Sequence, residues 1–146
     1  MKKILSAVVL CACALFTGLA QAEYVIKFSH VVTPTTPKGK AAQYFADQVN
    51  EKMAGKVRVE VFPNSQLYND NKVMEAMRLA SGNTGLMAAP SLSKFVKFSK
   101  KLQVFDIPFL FNDINDVHKL VDSPVVDEMI APLEKKGIKA LGFWDN

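Results

Sequence analysis

The sequence predicts an α/β fold in which helices cover a mostly parallel sheet. Short segments typical of strands alternate with segments whose apolar residues recur at helical spacing, and this order occurs twice between residues 24 and 89. A strand, a helix and a second strand of such lengths also form a βαβ unit. We therefore expect parallel pairing through a right-handed crossover.

The first 22 residues are predicted to be an export signal that is removed from the mature protein. Two lysines precede an apolar run over residues 4–15, and the motif AQA at residues 20–22 fits a small-residue cleavage site. A transmembrane anchor is an alternative, but the run is shorter than the roughly 20 residues that span a bilayer. Lipoprotein processing at Cys13 is a minor variant. Cleavage after Ala22 leaves residues 23–146 as one α/β domain.

The charge balance argues against a nucleic-acid partner. The sequence has 18 basic and 14 acidic residues, and loss of the two lysines in the signal leaves 16 basic residues and a formal charge of +2. Both cysteines leave with the signal, and the two histidines lie far apart in the sequence. No disulfide, metal site or cofactor is therefore predicted.

The first strand-helix-strand unit has clear boundaries. Tyr24–Ser29 is β-branched and aromatic, and Val57–Phe62 alternates between apolar and polar residues. Between these strands, Thr36 can cap a helix that begins at Pro37 and stops at Gly55. The expected apolar stripe of this helix consists of Ala42, Phe45, Ala46, Val49 and Met53.

The second unit repeats the pattern. Asn69 or Asp70 is expected to cap a helix that ends at Gly82, and Gly85–Ala89 is predicted to be a short buried strand. A short helix is expected around Leu92–Phe98.

Two helices and a final strand complete the prediction. The second of these helices is capped by Ser123, begins at Pro124 and ends before Gly137. Its predicted buried face consists of Val126, Met129, Ile130 and Leu133. Ile138–Trp144 is predicted to be the last strand.

Sites in parallel sheets gather at the carboxyl ends of the strands. This rule brings together Ser29 and His30, the loop over residues 33–38, and the loops over residues 64–69, 90–93 and 144–146. Their polar and aromatic composition is typical of a small-molecule cleft.

Lys38 is unusual because it lies in the first turn of the predicted helix. The helix dipole places partial positive charge there, so an exposed cation costs about 0.3–1 kcal/mol. A bound carboxylate would compensate, and Gly39 would let the ligand approach the backbone. The alternative is that Lys38 is a solvated surface residue. His30, likewise, could bond a loop carbonyl instead of a ligand.

Catalytic motifs are mostly missing from the sequence. A secreted α/β hydrolase that uses Ser91 or Ser93 with His30 remains an alternative, although nothing in the sequence brings these groups together. Trp144 fits either the core or a ligand platform. The lysine-rich stretch over residues 93–101 is typical of an amphipathic segment with a solvated basic face, with a partner-docking surface as the alternative.

Five segments together carry a family resemblance. In chain order they are FSHVVTPTTPKGKAAQYFA, VEVFPNSQLYND, APSLSKF, FDIPFLFND and KGIKALGFWDN. They resemble the periplasmic solute-binding subunit of tripartite ATP-independent periplasmic (TRAP) transporters, in the branch that binds C4-dicarboxylates. The resemblance covers nearly all of residues 23–146.

The resemblance implies a periplasmic binding protein-like fold of two α/β lobes that close on an organic acid. The acid would be succinate, malate or fumarate, or alternatively a 2-oxo or sugar acid. It would be delivered to membrane permease subunits driven by a sodium gradient, without catalysis. The resemblance further implies a chain about twice as long, so the present sequence is expected to hold mostly the first lobe. An arginine that clamps a substrate carboxylate would then lie in the second lobe.

The resemblance also implies roles for six residues. His30 would donate a hydrogen bond to a substrate oxygen, Lys38 would pair with a carboxylate, and Ser93 would donate a hydroxyl. Ser91 is a weaker candidate for the same role. Two residues at the end of the sequence complete the set, Trp144 as a wall of the cleft and Asn146 as an amide donor.

Overall fold

A parallel sheet forms the centre of the structure, a computed structural model that describes residues 23–80 and 84–144. Three strands in the order β2-β1-β3 make up this sheet. They are β1 (Tyr24–Ser29), β2 (Val57–Phe62) and β3 (Thr84–Ala88). The predicted export signal and Asn146 lie outside the described residues.

β1 pairs in parallel with both of its neighbours. Ser29, its last residue, lies opposite Phe62 of β2 and Ala88 of β3. The three strands therefore end together, and the loops that follow them start at one edge of the sheet. The predicted α/β class and the parallel pairing are confirmed.

Helices connect and cover the strands. Among the described residues, the α-helices are α1 (Pro37–Lys52), α2 (Asp70–Leu79), α3 (Ile114–Val121) and α4 (Pro124–Glu134), and 3-10 helices span Leu92–Phe95 and Lys100–Asp106. Within residues 23–80 and 84–144, none of the helices has the length and apolar character needed to cross a membrane.

The helix caps largely follow the sequence prediction. The Thr36 hydroxyl accepts a hydrogen bond from the N–H of Gly39 at 3.1 Å, which fixes the start of α1. Asn69, and not Asp70, caps α2, because its side-chain oxygen accepts from two N–H groups of the first turn. Ser123 precedes α4 as predicted, but its hydroxyl donates to the Leu120 carbonyl at 2.7 Å and does not cap the helix.

The sheet is covered on both faces. Alternate residues of β3 point to opposite sides, so that Leu86 packs against one buried cluster and Met87 against another. The cluster between the sheet and α1 consists of Phe28, Ala42, Ala46 and Val59. The larger cluster on the other face consists of Val73, Met74, Leu102, Val126, Met129, Leu133 and Ile138. The layers are thus helix, sheet and helix.

Asn50 of α1 binds the free edge of β2. Its side-chain amide donates to the carbonyl of Val59 at 3.1 Å, and its side-chain oxygen accepts from the N–H of Val59 at 2.7 Å. A single side chain thus forms hydrogen bonds with both the N–H and the carbonyl of Val59, as a neighbouring strand would do.

The predicted final strand is wrong. Ile138 is buried and Phe143 packs against the larger cluster, but residues 138–144 form no strand. A strand requires a ladder of hydrogen bonds with a neighbour, and in the described residues this segment pairs with neither edge strand of the sheet, β2 or β3. The segment therefore has the apolar pattern of a strand without the pairing.

Two further boundaries differ from the prediction. The segment over Leu92–Phe98 is a 3-10 helix only as far as Phe95 and then continues as turns. α2 ends at Leu79, before the expected stop at Gly82, which lies outside the described residues. A second 3-10 helix follows at Lys100–Asp106, a segment for which no definite structure is predicted from the sequence.

Candidate functional site

The loops after β1 and β2 are joined by backbone hydrogen bonds at the carboxyl edge of the sheet. The N–H of His30 donates to the carbonyl of Phe62 at 3.0 Å, and the carbonyl of His30 accepts from the N–H of Ser65 at 3.1 Å. Asn64 and Ser65 both have positive φ, which non-glycine residues adopt only with support from their surroundings. These bonds fix the backbone of His30 from both sides.

Ser29 anchors the next part of the same edge. Its buried hydroxyl donates to the carbonyl of Tyr68 at 3.2 Å and is 3.3 Å from the N–H of Tyr68, which donates to it. Ser29 therefore ties the start of α2 to the end of β1. The sequence predicts Ser29 at the edge of the sheet where the site lies. In the structure its hydroxyl bonds to the backbone of Tyr68 and thus holds the fold together.

Lys38 extends from the first turn of α1 towards the end of β3. Its ammonium donates to the carbonyl oxygen of Ala89 at 3.3 Å. This contact joins two elements that are 51 residues apart in the sequence. No carboxylate pairs with Lys38 among the described residues.

The expectation that Gly39 opens the backbone to a ligand is wrong. A Cβ atom at Gly39 would lie 2.2 Å from the carbonyl oxygen of Thr33 and 2.9 Å from the Cα of Pro34. The chain itself fills this space, and the N–H of Gly39 is bonded to Thr36. Lys38 therefore offers an anion its side chain, while the adjoining helix terminus is already capped.

A cavity of about 780 Å³ opens between β3 and the C-terminal segment over residues 137–144. Three predicted site residues line it: Lys38, Ser91 and Trp144. The ring of Trp144 packs edge-on against Phe28, with 5.7 Å between the ring centroids, and is 42% exposed. The structure thus brings a cation, a hydroxyl and an indole to one cavity.

His30 is near this group but does not line the cavity. Its side chain is 2% exposed, and its ring meets the ring of Phe28 at 6.1 Å in a T-shaped arrangement. Burial lowers the pKa of His30, a backbone interaction with Val32 raises it in part, and the charge of Lys38 lowers it further. Neither ring nitrogen forms a hydrogen bond of standard geometry within the described residues.

Ser93 lies to one side of the cavity. Its hydroxyl is 3.1 Å from that of Ser91, so the two serines share a hydrogen bond. Ser93 lines a separate surface pocket of about 600 Å³ with Lys94, Lys97 and Lys100. The structure therefore places Ser91 ahead of Ser93 as a cavity residue, while Asn146 lies outside the described residues.

The serines and His30 do not form a catalytic pair in the described part of the chain. Neither ring nitrogen of His30 forms a hydrogen bond of standard geometry with a described residue, whereas the Ser91 hydroxyl is bonded to Ser93. No group of three or more metal-ligating side chains occurs in residues 23–80 and 84–144. The hydrolase alternative thus gains no geometric support.

The sequence reasoning missed most residues of the cavity lining, and two contributors show why. Phe45 of α1 lines the cavity although its position in the apolar stripe predicted a core role. The carbonyl of Ala89 holds Lys38 in place, and a backbone acceptor leaves no signature in the residue type.

The family comparison matches most of the chain. The model for the family described as bacterial extracellular solute-binding protein, family 7 (DctP) matches residues 28–146. The C4-dicarboxylate-binding periplasmic protein DctP of Vibrio cholerae is 50% identical over 125 residues, which are 85% of this chain and 37% of that protein. The chain therefore spans less than half the length of this relative.

Solved structures give the same result. A TRAP periplasmic solute-binding protein from Sulfurospirillum deleyianum with bound succinate matches with a TM-score of 0.76 and 48% identity, over 86% of this chain and 39% of that one. A TRAP protein from Pseudomonas aeruginosa with bound L-malate matches with a TM-score of 0.77 and 45% identity, over 84% of this chain and 42% of that one. From the family match over residues 28–146, the chain belongs to the bacterial extracellular solute-binding proteins of family 7.

Proposed function

We propose that the protein carrying this chain is the periplasmic solute-binding component of a TRAP transporter and binds a C4-dicarboxylate. Family membership supports a binding protein that catalyses no reaction. The similar protein from Vibrio cholerae is named as a C4-dicarboxylate-binding protein, and the similar structures from Sulfurospirillum deleyianum and Pseudomonas aeruginosa contain succinate and L-malate. These relatives support succinate, malate or fumarate as the ligand class.

The observation that carries the proposal is the position of the Lys38 ammonium in the cavity. Lys139 also lines the cavity, but it pairs with Glu134. Asp106 contributes a negative charge to the lining. An anionic ligand is therefore expected at Lys38, where a charge-assisted hydrogen bond to a carboxylate is available.

A dicarboxylate requires a second cationic partner. Lys38 can pair with one carboxylate, Ser91 can donate a hydroxyl to the same end, and Trp144 can cover the carbon chain. The other carboxylate would be bound by a second lobe, as the family resemblance implies. Such a ligand would connect the two lobes and stabilise the closed form.

Export and delivery belong to the same proposal. The predicted signal over residues 1–22 would direct the protein to the periplasm, where it would supply membrane permease subunits. Mass spectrometry of the periplasmic fraction tests this step, with a mature N-terminus at Glu23 as the expected result. Retention of residues 1–22, or a lipid on Cys13, would contradict it.

The binding test uses the protein expressed from its complete reading frame. A ligand that binds only the folded state adds RT ln(1 + [L]/Kd) of stability, about 2.7 kcal/mol at 100 times Kd. We expect millimolar succinate, L-malate or fumarate to raise the melting temperature and to give a calorimetric Kd.

A panel of acids provides the control. Monocarboxylates of the same length, 2-oxo acids and sugar acids are measured in the same buffer. If a sugar acid or 2-oxo acid binds more tightly than all three C4-dicarboxylates, the ligand class is wrong. If no organic acid changes the melting temperature, the binding function itself fails.

A further inference from the structure

The surface pocket beside the ligand cavity has a basic lining that the proposed binding function does not use. Lys94, Lys97 and Lys100 all line this pocket of about 600 Å³, which we call the lysine pocket. Lys97 and Lys100 are exposed, and Lys94 is half-buried. The lining also includes one carboxylate, that of Asp70 at the start of α2. Three positive charges therefore face one negative charge.

The local winding of the chain brings these lysines together. The N–H of Lys94 donates to the carbonyl three residues before it, at 3.0 Å, as in a 3-10 helix. Such a helix has three residues per turn, so that side chains three positions apart lie on the same side. Lys94 and Lys97 therefore follow each other along one side. Ser99 is extended and interrupts the winding, but Lys100 begins the next 3-10 helix and lines the same pocket.

The positive charge of the lysine pocket is not compensated by ion pairs. Lys101, the next lysine in the chain, pairs with Glu128 at 3.1 Å. Among the described residues, by contrast, none of the three pocket lysines forms an ion pair, and Lys97 lies 5.1 Å from the centre of the uncharged Phe98 ring. Like charges that are held close together repel each other and disfavour the compact state. A negatively charged partner would relieve this repulsion.

The spacing of the lysines fits an extended acidic peptide. One turn of a 3-10 helix advances by about 6 Å. Alternate side chains of an extended chain point to the same face and are about 6.6 Å apart. Carboxylates at alternate positions of such a chain would therefore match successive lysines. A membrane surface is flat, whereas these lysines line a concavity, and the carboxylate of Asp70 would repel the phosphates of a nucleic acid.

We propose that the lysine pocket binds an extended acidic segment of a membrane permease subunit, with carboxylates at alternate positions. The inference rests on the proposed function and adds a contact surface for the delivery step. The pocket adjoins the ligand cavity, because the hydroxyl of Ser93 in the pocket is 3.1 Å from that of Ser91 in the cavity. A bound permease segment would therefore lie next to the ligand that the permease receives.

The test is sodium-driven uptake of succinate into proteoliposomes that contain the permease subunits, with the protein from its complete reading frame added outside. The pocket variant combines Lys94→Gln, Lys97→Gln and Lys100→Gln. The control variant loses the same charge from three exposed lysines outside the pocket, by Lys40→Gln, Lys52→Gln and Lys56→Gln.

The pocket variant should need about ten times more protein than wild type for half-maximal uptake, because three charge pairs with the partner are lost. The control variant should differ from wild type by less than twofold. Added choline chloride should reduce the difference between wild type and the pocket variant, since salt screens exposed charges. Calorimetry with succinate should give the same Kd for all three proteins.

The outcomes separate this inference from the proposed function. Loss of uptake that is confined to the pocket variant, with an unchanged Kd for succinate, supports the inference. Equal uptake by wild type and the pocket variant, or an equal loss in the control variant, overturns it and leaves the binding function intact. Absence of binding by any C4-dicarboxylate overturns both.

Two further measurements identify other partners of the lysines. Wild type that sediments with permease-free vesicles of phosphatidylglycerol and phosphatidylethanolamine, while the pocket variant does not, would make lipid the partner and overturn the proposal. A pocket variant that unfolds at a lower urea concentration than the control variant would show that the lysines pair with another part of the complete protein, which also overturns it. Unfolding at the same urea concentration and no sedimentation are expected.

Discussion

The ammonium of Lys38 and the carbonyl oxygen of Ala89 are 3.3 Å apart, and their contact connects the first turn of α1 to the end of β3. The carbonyl orients the ammonium. A side chain held in one direction in this way is the preorganisation that the proposed binding of a carboxylate would use.

Replacing Lys38 with methionine should weaken dicarboxylate binding by about tenfold to a hundredfold, because a hydrogen bond to a charged group contributes about 1.5–3 kcal/mol. Isothermal titration calorimetry of the complete protein with succinate checks this. Lys40→Met removes the same charge from an exposed position on the same helix and should change the Kd less than twofold. Equal losses of affinity in both variants would show that the total positive charge of the helix matters and that the position of Lys38 does not.

Gly39→Ala should destabilise the protein by about 1–3 kcal/mol, because the added Cβ overlaps the carbonyl oxygen of Thr33 and forces the loop before α1 to move. Urea unfolding measures the loss. Gly142→Ala is the matched control, since an added Cβ there meets nothing within 4 Å. A Gly39→Ala variant as stable as the control would mean that the loop moves without cost.

Ser29→Ala should lower the free energy of unfolding by about 1–3 kcal/mol, since the N–H and the carbonyl of Tyr68 both lose their partner. Thermal unfolding provides the measurement. Ser91→Ala removes a hydroxyl from an exposed residue and is expected to stay within about 0.5 kcal/mol of wild type. A stability loss confined to Ser91→Ala would contradict the structural role of Ser29.

Stability should fall as the pH drops below about 6.5, the ordinary pKa of histidine. Burial lowers the pKa of His30 in the folded protein, so between the two pKa values the unfolded chain binds a proton that the folded chain does not. The slope from this group is at most about 1.4 kcal/mol per pH unit. Urea unfolding from pH 5 to 8, without ligand, should show a shallower dependence of stability on pH for His30→Gln than for wild type. Parallel curves for wild type and His30→Gln would exclude this role.

The parts of the fold that were predicted correctly are those that local chemistry determines. The cap at Thr36, the proline at the first position of α1 and the alternation in Val57–Phe62 each specify a structure within a few residues. Ile138–Trp144 shows the limit of such reasoning. Its composition suits a strand, but a strand also needs a partner, and no property of the segment itself supplies one.

In the candidate site, too, some features follow from neighbouring residues in the sequence and others depend on distant ones. Lys38 was recognisable because a cation in a first helical turn violates a local rule. Its contact with Ala89, the packing of Gly39 against Thr33 and the burial of His30 depend on distant parts of the chain. The sequence therefore indicates candidate residues for the site but does not predict which of them face the cavity.

The two edges of the sheet are not equivalent. On the β2 side, Asn50 occupies the N–H and the carbonyl of Val59, so that an incoming strand would first have to displace a side chain. On the β3 side, the neighbouring segment over residues 137–144 stands off across the cavity and leaves room for backbone. In the described residues, the backbone of β2 at Val59 is therefore already bonded on its outer side, whereas β3 borders open space on the side of the cavity.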